Sequence, residues 1–351
     1  MWEQLVTCSA PRAVAFCIPW FGGTPLPIYW YGILASVGIF VGAFYASKHV
    51  QMEGEDPELV WDALLWVLLA GLIGARLWYV LAEVLGGSQD YTLTSWQGFL
   101  NIINPRGGGM NIFGGAIAGM IALYVYARIR KVDGWLMADA GLLGLLLGQA
   151  IGRIGNFVNE ELYGPPTGSK WFGIPISAEH RLSQFADYPP ETLFHPTMFY
   201  EMGWLLVTFG VLFYIFRRYQ DRMVRGILTG AYLIMAGFGR FIIEFFRPDQ
   251  PGFTPPGLGF KISFSTVLAL IYVIVGIVVL LDRLGYMRIP WIAKPQTRKQ
   301  RLQTFTDIQG TRRRQSRAAE RDRIREQRRK EREARAAQKA AENTTSGESP
   351  S

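Results

Sequence analysis

The chain has few cysteines, few histidines and no excess charge along most of its length. Cys8 and Cys17 are its two cysteines; they are too few for a disulfide framework, lack metal-ligand companions at a recognised spacing, and leave room for one bridge at most. His49, His180 and His195 stand far apart, with no His-Glu-x-x-His pairing to seat a metal. No Gly-x-Ser-x-Gly turn is present, which removes the nucleophile elbow of a serine hydrolase. The first twenty residues include Glu3, Pro11 and Arg12 but no sustained apolar core, so they do not read as a cleavable signal peptide. The net charge of +8 sits in one place: 16 Lys/Arg and 8 Asp/Glu fall from Arg298 onward, and the remaining 20 of each sign balance. The body therefore has no basic field for nucleic acid, and the basicity belongs to the tail.

Long apolar runs dominate instead. Half of the 351 residues are apolar and 14% are aromatic, and seven runs fall at 28–46, 60–80, 111–127, 135–157, 198–216, 226–246 and 264–281. Roughly 18 or more apolar residues are what a hydrocarbon layer about 30 Å thick demands of a helix. The pattern predicts an all-α, polytopic membrane protein with seven transmembrane helices. The last run has no lysine, so it cannot carry a retinal linkage.

Seven spans place the termini on opposite sides, and Lys/Arg counts in the loops decide which is inside. With the C-terminus inside, the inner loops and the exit from the last span carry eleven: Lys48, Arg128, Arg130, Lys131, Arg217, Arg218, Arg222, Arg225, Arg283, Arg288 and Lys294. The outer side carries six: Arg12, Arg106, Lys170, Arg181, Arg247 and Lys261. The expected organisation is an extracytoplasmic segment over 1–27, a seven-span membrane domain over 28–281, and a cytoplasmic tail over 282–351. Dense in Arg, Glu, Gln and Ala, the tail cannot pack a core. It reads as a disordered arm or solvated helix, with anionic lipid of the inner leaflet as the alternative.

Arg76, Arg153 and Arg240 lie inside spans, where an ionisable group is expensive and by default functional. In this orientation all three fall toward the outer ends of their helices. Tyr31, the Gly114-Gly115 pair, and His195 with Glu201 fall at the same level. Arg153 and Asn156 share a helix face, with Asn159 and Glu160 following within two turns; Arg240 and Glu244 have the spacing of an ion pair, with Arg247 one turn on. Arginine suits phosphate because its planar fork gives paired, charge-assisted hydrogen bonds. Gly144, Gly148 and Gly152, like Gly115 and Gly119, have the spacing of close helix packing. Gly114 and Gly115 also offer bare backbone to a head group beside Asn111. His49 and His180 read as solvated surface residues, and His195 caps the fifth span or positions a partner there. A transporter would also place polar groups in glycine-interrupted spans, but at the midplane.

The stretch GRIGNFVNEELYG at 152–164 resembles the signature of the prolipoprotein diacylglyceryl transferases. Four more blocks are similar in order and spacing: Ile28-Tyr29-Trp30-Tyr31-Gly32, Gly74-Ala75-Arg76-Leu77, His195-Pro196-Thr197 through Tyr200-Glu201, and Gly239-Arg240 through Glu244-Phe245-Phe246-Arg247. The resemblance spans roughly 28–281 and implies a seven-span fold with the N-terminus out. It implies essential roles for Tyr31, Arg153, Asn156, Glu161, Gly164, Arg240 and Glu244, with Arg153 at phosphatidylglycerol. Where the family often has a histidine before the Gly-Gly pair, this chain has Phe113, so a mechanism that takes the thiol proton there cannot operate.

The implied activity is transfer of a diacylglyceryl group from phosphatidylglycerol to the lipobox cysteine of a prolipoprotein signal peptide, with release of glycerol phosphate, at the outer leaflet of the bacterial inner membrane. Arg153 and Arg240 are expected on the phosphate, Asn156 donates a further hydrogen bond, and Glu161 and Glu244 fix the arginines. Asn159, Gly164, His195, Arg76, Gly114 and Gly115 complete the substrate-binding set. Glu161, Glu244, Tyr31 and His195 remain alternatives for accepting the thiol proton. No metal or other cofactor is called for.

Overall fold

The computed structural model describes residues 14–18, 26–88, 90–92, 94–104, 109–247, 252–254, 262–290, 296–301, 303 and 326. Cys8, Arg12, Arg106, Lys261 and most of the tail lie outside these residues. The chain divides into Met1–Pro295 and Gln296–Ser351, and the first unit carries the elements that follow.

Among the described residues eight α-helices run in order: α1 (Trp30–Met52), α2 (Glu58–Leu85), α3 (Trp96–Ile103), α4 (Ile112–Arg130), α5 (Gly134–Val158), α6 (Thr197–Tyr219), α7 (Ile227–Glu244) and α8 (Phe264–Leu284). All except α3 are long and apolar enough to cross a membrane, so this is a multi-pass membrane protein whose spans match the seven predicted runs to within a few residues. Their outward faces stay apolar, with Leu65, Trp66, Leu72 and Ile73 of α2 each more than half exposed. Three two-stranded antiparallel sheets flank the helices: Val14–Ile18 with Leu26–Tyr29 before α1, and in the connections Ile174–Pro175 with Leu193–Phe194 and Gly252–Phe253 with Ile262–Ser263.

Glycine sets the closest helix crossings. A Cβ at Gly42 would lie 2.6 Å from the Gly144 carbonyl oxygen, and one at Gly38 would lie 2.8 Å from that of Gly148, so α1 and α5 touch backbone to backbone. The same holds for α2 and α4 at Gly74 and Gly114, and for α7 and α8 at Gly230 and Gly276. In a bilayer, where lipid is as apolar as leucine, such contact replaces the hydrophobic drive for helix association. Gly152 was expected in this set, but a Cβ there meets nothing within 4 Å among the described residues.

Polar contacts staple the end at which α1 stops and α5 and α7 begin. Asp139 of α5 accepts from Gly226 N at 2.7 Å, Thr229 N at 2.8 Å and Thr229 Oγ1 at 2.6 Å, capping α7. Arg225 meets Glu53 at 3.2 Å, Glu55 at 3.1 Å and Asp133 at 3.2 Å. Burial works to lower its pKa, but these carboxylates outweigh it and hold the guanidinium above its ordinary value. His49, expected at the surface, is fully buried in the last turn of α1 against the Phe216 ring at 4.3 Å between centroids. Cys17 is buried and disulfide-bonded.

Candidate active site

The opposite end gathers side chains from α5, α6, α7 and α8. Glu201, in the first turns of α6, is the centre. Its Oε2 lies 2.6 Å from Arg153 Nη2, and its Oε1 lies 3.6 Å from Nη1 of both Arg240 and Arg247. Arg240 also pairs with Glu244 at 3.0 Å and donates to Ser265 Oγ at 2.8 Å. Buried charges persist only when paired in this way, since an isolated one would cost several kcal/mol of desolvation. Side-chain exposure separates the three arginines: Arg153 and Arg240 keep 25% and 28%, whereas Arg247 keeps 6%. The first two can reach a ligand; the third backs the carboxylate.

A second chain of contacts runs from Arg153. Its Nη1 donates to Asn156 Oδ1 at 3.0 Å, and Asn156 Nδ2 donates to Glu161 Oε1 at 2.7 Å. Asn159 Nδ2 donates to the same oxygen at 3.3 Å. Glu161 therefore steadies Arg153 through an amide rather than by direct pairing. The turn after α5 makes this arrangement: Glu160 and Leu162 have φ of 53° and 60°, left-handed values that non-glycine residues hold only when surrounding contacts demand them.

That turn sends Glu160 elsewhere, although helical spacing put it with Arg153. It accepts from Ser177 N at 2.8 Å and from Ser177 Oγ, with His180 Nδ1 at 3.1 Å. Burial alone would raise the Glu160 pKa; the Ser177 and His180 hydrogen bonds win and hold it below the ordinary carboxylate value. His180, although exposed, is thus partnered and not merely solvated. The segment folds on its own small core of Tyr163, Ile176, Phe185, Phe194 and Met198.

The remaining expected residues divide. Tyr31 lies beside the relay, its ring only 2.8 Å from where a Cβ on Gly155 would sit. Gly164 is forced by crowding, because a Cβ would meet His195 Cβ and the Phe246 carbonyl oxygen at 2.8 Å each. His195 faces the Tyr200 hydroxyl at 3.0 Å and packs on Phe246. Arg76 has different partners: it donates to the carbonyls of Ile102 at 2.9 Å, Gly109 at 2.8 Å and Asn101 at 2.5 Å. These bonds tie α2 to the connection that carries α3. Gly114 and Gly115 turn toward α2, where a Cβ at 114 would lie 2.2 Å from Trp78 Cβ; the pair serves helix packing there. Phe113 is 56% exposed, and its ring has no group that could take a proton. Sequence spacing did not assign Glu201 or Arg247 to the site; both lie in blocks already singled out, and convergence at one depth was the signal that named Glu201.

The family model for prolipoprotein diacylglyceryl transferase matches residues 20–281. Proteins named phosphatidylglycerol--prolipoprotein diacylglyceryl transferase are similar along much of the chain. That of Chloroflexus aggregans is 34% identical over 242 residues, 65% of this chain and 75% of the relative. The Prochlorococcus marinus protein (strain NATL1A) is 32% identical over 269 residues, covering 72% and 86%. The one from Corynebacterium efficiens is 32% identical over 286 residues, covering 79% and 82%. With seven apolar spans and a family model that covers most of its length, the chain belongs to the prolipoprotein diacylglyceryl transferase family.

Proposed function

We propose that this protein transfers the diacylglyceryl group of phosphatidylglycerol to the lipobox cysteine thiol of a prolipoprotein, the first step of lipoprotein maturation. The observation that carries this reading is the meeting of Arg153 and Arg240, from separate helices, on the two oxygens of one carboxylate. Two guanidinium groups brought that close can also bracket one phosphodiester. The proposed orientation, N-terminus out and C-terminus in, puts this end of the bundle at the outer leaflet of the bacterial inner membrane, where the Lys/Arg asymmetry supports it.

In the reaction, the cysteine sulfur attacks the glycerol carbon that bears the phosphate. The C–S bond forms as the C–O bond breaks, and the electron pair leaves with glycerol phosphate. A thiol has a pKa of about 8.5 when free and attacks as thiolate, so the proton must pass to an acceptor at this end. Glu161, Glu244, Tyr31 and His195 are the candidates. Arg153 and Arg240 neutralise charge growing on the leaving phosphate, the kind of preorganised stabilisation worth roughly 2.7–4 kcal/mol per donor. Asn156 and Glu161 hold the Arg153 plane, and Glu244 holds that of Arg240. The Glu160–Ser177–His180 clasp fixes the turn from which Glu161 projects.

The test uses purified protein, phosphatidylglycerol labelled in its acyl chains and a peptide with a lipobox cysteine. Label is expected on the peptide and not on its Cys→Ser counterpart. Lipid movement without peptide labelling would mean a transporter, and neither would mean a lipid-binding scaffold; both defeat the proposal.

A further inference from the structure

Glu201 has no part in the displacement just described, yet the arginines converge on it. It is rooted in the first turns of α6, beside the fully buried Thr197 and Met198. Arg153 has a complementary peculiarity. Its Nη1 is taken by Asn156 and its Nη2 by Glu201, while Nε is buried with no hydrogen-bond partner among the described residues. Nε and Nη2 form one edge of the planar guanidinium, the edge that receives two phosphate oxygens side by side. A single carboxylate oxygen at Nη2 fills half of that fork and leaves a buried donor unsatisfied, which a structure tolerates only for a reason. A phosphodiester, with two unesterified oxygens, fills both halves.

We propose that Glu201 is the resident anion of the phosphate subsite. It holds Arg153 and Arg240 together while the site is empty, yields Arg153 to the incoming lipid phosphate, and takes Arg153 back as glycerol phosphate departs. The role rests on the transfer reaction proposed above and deepens it. Without an internal anion, Arg153, Arg240 and Arg247 would repel one another and the fork would splay. The return step matters because a phosphate monoester carries about −1.5 to −2 at neutral pH against −1 for the diester, so the product grips arginines harder than the substrate does. A competing carboxylate on a rigid helix supplies the push that releases it.

Glu201→Gln keeps the shape and removes the charge. Three quantities decide the matter: the KM for phosphatidylglycerol in mixed micelles, kcat, and inhibition by added glycerol phosphate. The expected result is a KM lower by about ten-fold, equivalent to about 1.4 kcal/mol, with reduced kcat and glycerol phosphate inhibition stronger by at least the same factor. A purely structural glutamate predicts the reverse, with weaker lipid binding and no change in product inhibition, and that result overturns the proposal. Should Glu201→Gln fail to accumulate, Glu201→Asp withdraws the carboxylate by one methylene and must shift the same quantities in the same direction. A wild-type protein that transfers nothing defeats the function itself. A wild type that transfers, beside a variant that shifts the wrong way, defeats only the role of Glu201.

Discussion

Asn156 is where the relay can be broken with least disturbance to shape. Its amide does two different jobs, accepting from Arg153 Nη1 at 3.0 Å and donating to Glu161 Oε1 at 2.7 Å. Asn156→Asp preserves the first bond and loses the second. It also sets one carboxylate against another at hydrogen-bond distance. A hydrogen bond to a charged group contributes about 1.5–3 kcal/mol, and two like charges about 4 Å apart repel by about 4 kcal/mol at an effective dielectric constant of 20. Water and proton uptake relieve part of the repulsion, so about 3–4 kcal/mol remains as lost orientation of Arg153, a drop of roughly two to three powers of ten in kcat/KM. Asn156→Ala loses both bonds without the repulsion, about two powers of ten. The assay is the initial rate of label transfer to peptide, with thermal unfolding in detergent run alongside to show that each variant is folded. A folded Asn156→Asp protein within three-fold of wild type would refute the relay.

Three further outcomes follow from the same contacts. Arg153→Lys and Arg240→Lys keep the charge but lose the fork, and each should cost about 100-fold or more in transfer rate with unchanged unfolding temperature; rates near wild type would remove them from the phosphate. Gly144→Ala should destabilise the protein by about 1–3 kcal/mol, because its Cβ would lie 2.3 Å from the Gly42 carbonyl oxygen. Gly141→Ala, with nothing within 4 Å of the new Cβ, should be neutral or slightly stabilising by helix propensity, and equal unfolding temperatures for the two would refute the packing argument. The Glu160 clasp depends on pH: its pKa is lowered in the folded state from an ordinary 4.5, so its contribution is complete above that value and is lost as pH falls below it. Amide-exchange protection factors in the segment around Ser177, each taken against the intrinsic rate at its pH, should fall from pH 5 to pH 3 in wild type more than in Ser177→Ala, and an identical fall would argue against the clasp.

The spans were legible because a bilayer leaves a chain so little choice: about twenty apolar residues in a row have one stable use. The short helix α3 escaped because eight residues, Trp96–Ile103, cannot make such a run. Helical spacing correctly joined Arg153 to Asn156 and Arg240 to Glu244, since those pairs lie within one helix. It failed one turn later, where the left-handed φ of Glu160 exchanges the roles of two adjacent glutamates: Glu161 turns back to Asn156 and Glu160 goes to Ser177. No periodicity reports a break of that kind. Arg76 shows the converse, because depth in the membrane nominated it, while its geometry is that of an arginine satisfying three carbonyls. His49 was placed at the surface by counting loops, but the last turn of α1 packs inward against Phe216. The role of Glu201 needed three dimensions, since its arginine partners lie on other helices and nothing local marks one carboxylate as their common counter-ion.

The most direct measurement of the central claim is an experimental structure of the protein with phosphatidylglycerol bound. A lipid phosphate is expected within about 3 Å of donors on both Arg153 and Arg240, with the glycerol carbon that bears the phosphate facing open space for a thiol. A phosphate resting elsewhere, on Arg76 or on neither guanidinium, would contradict it.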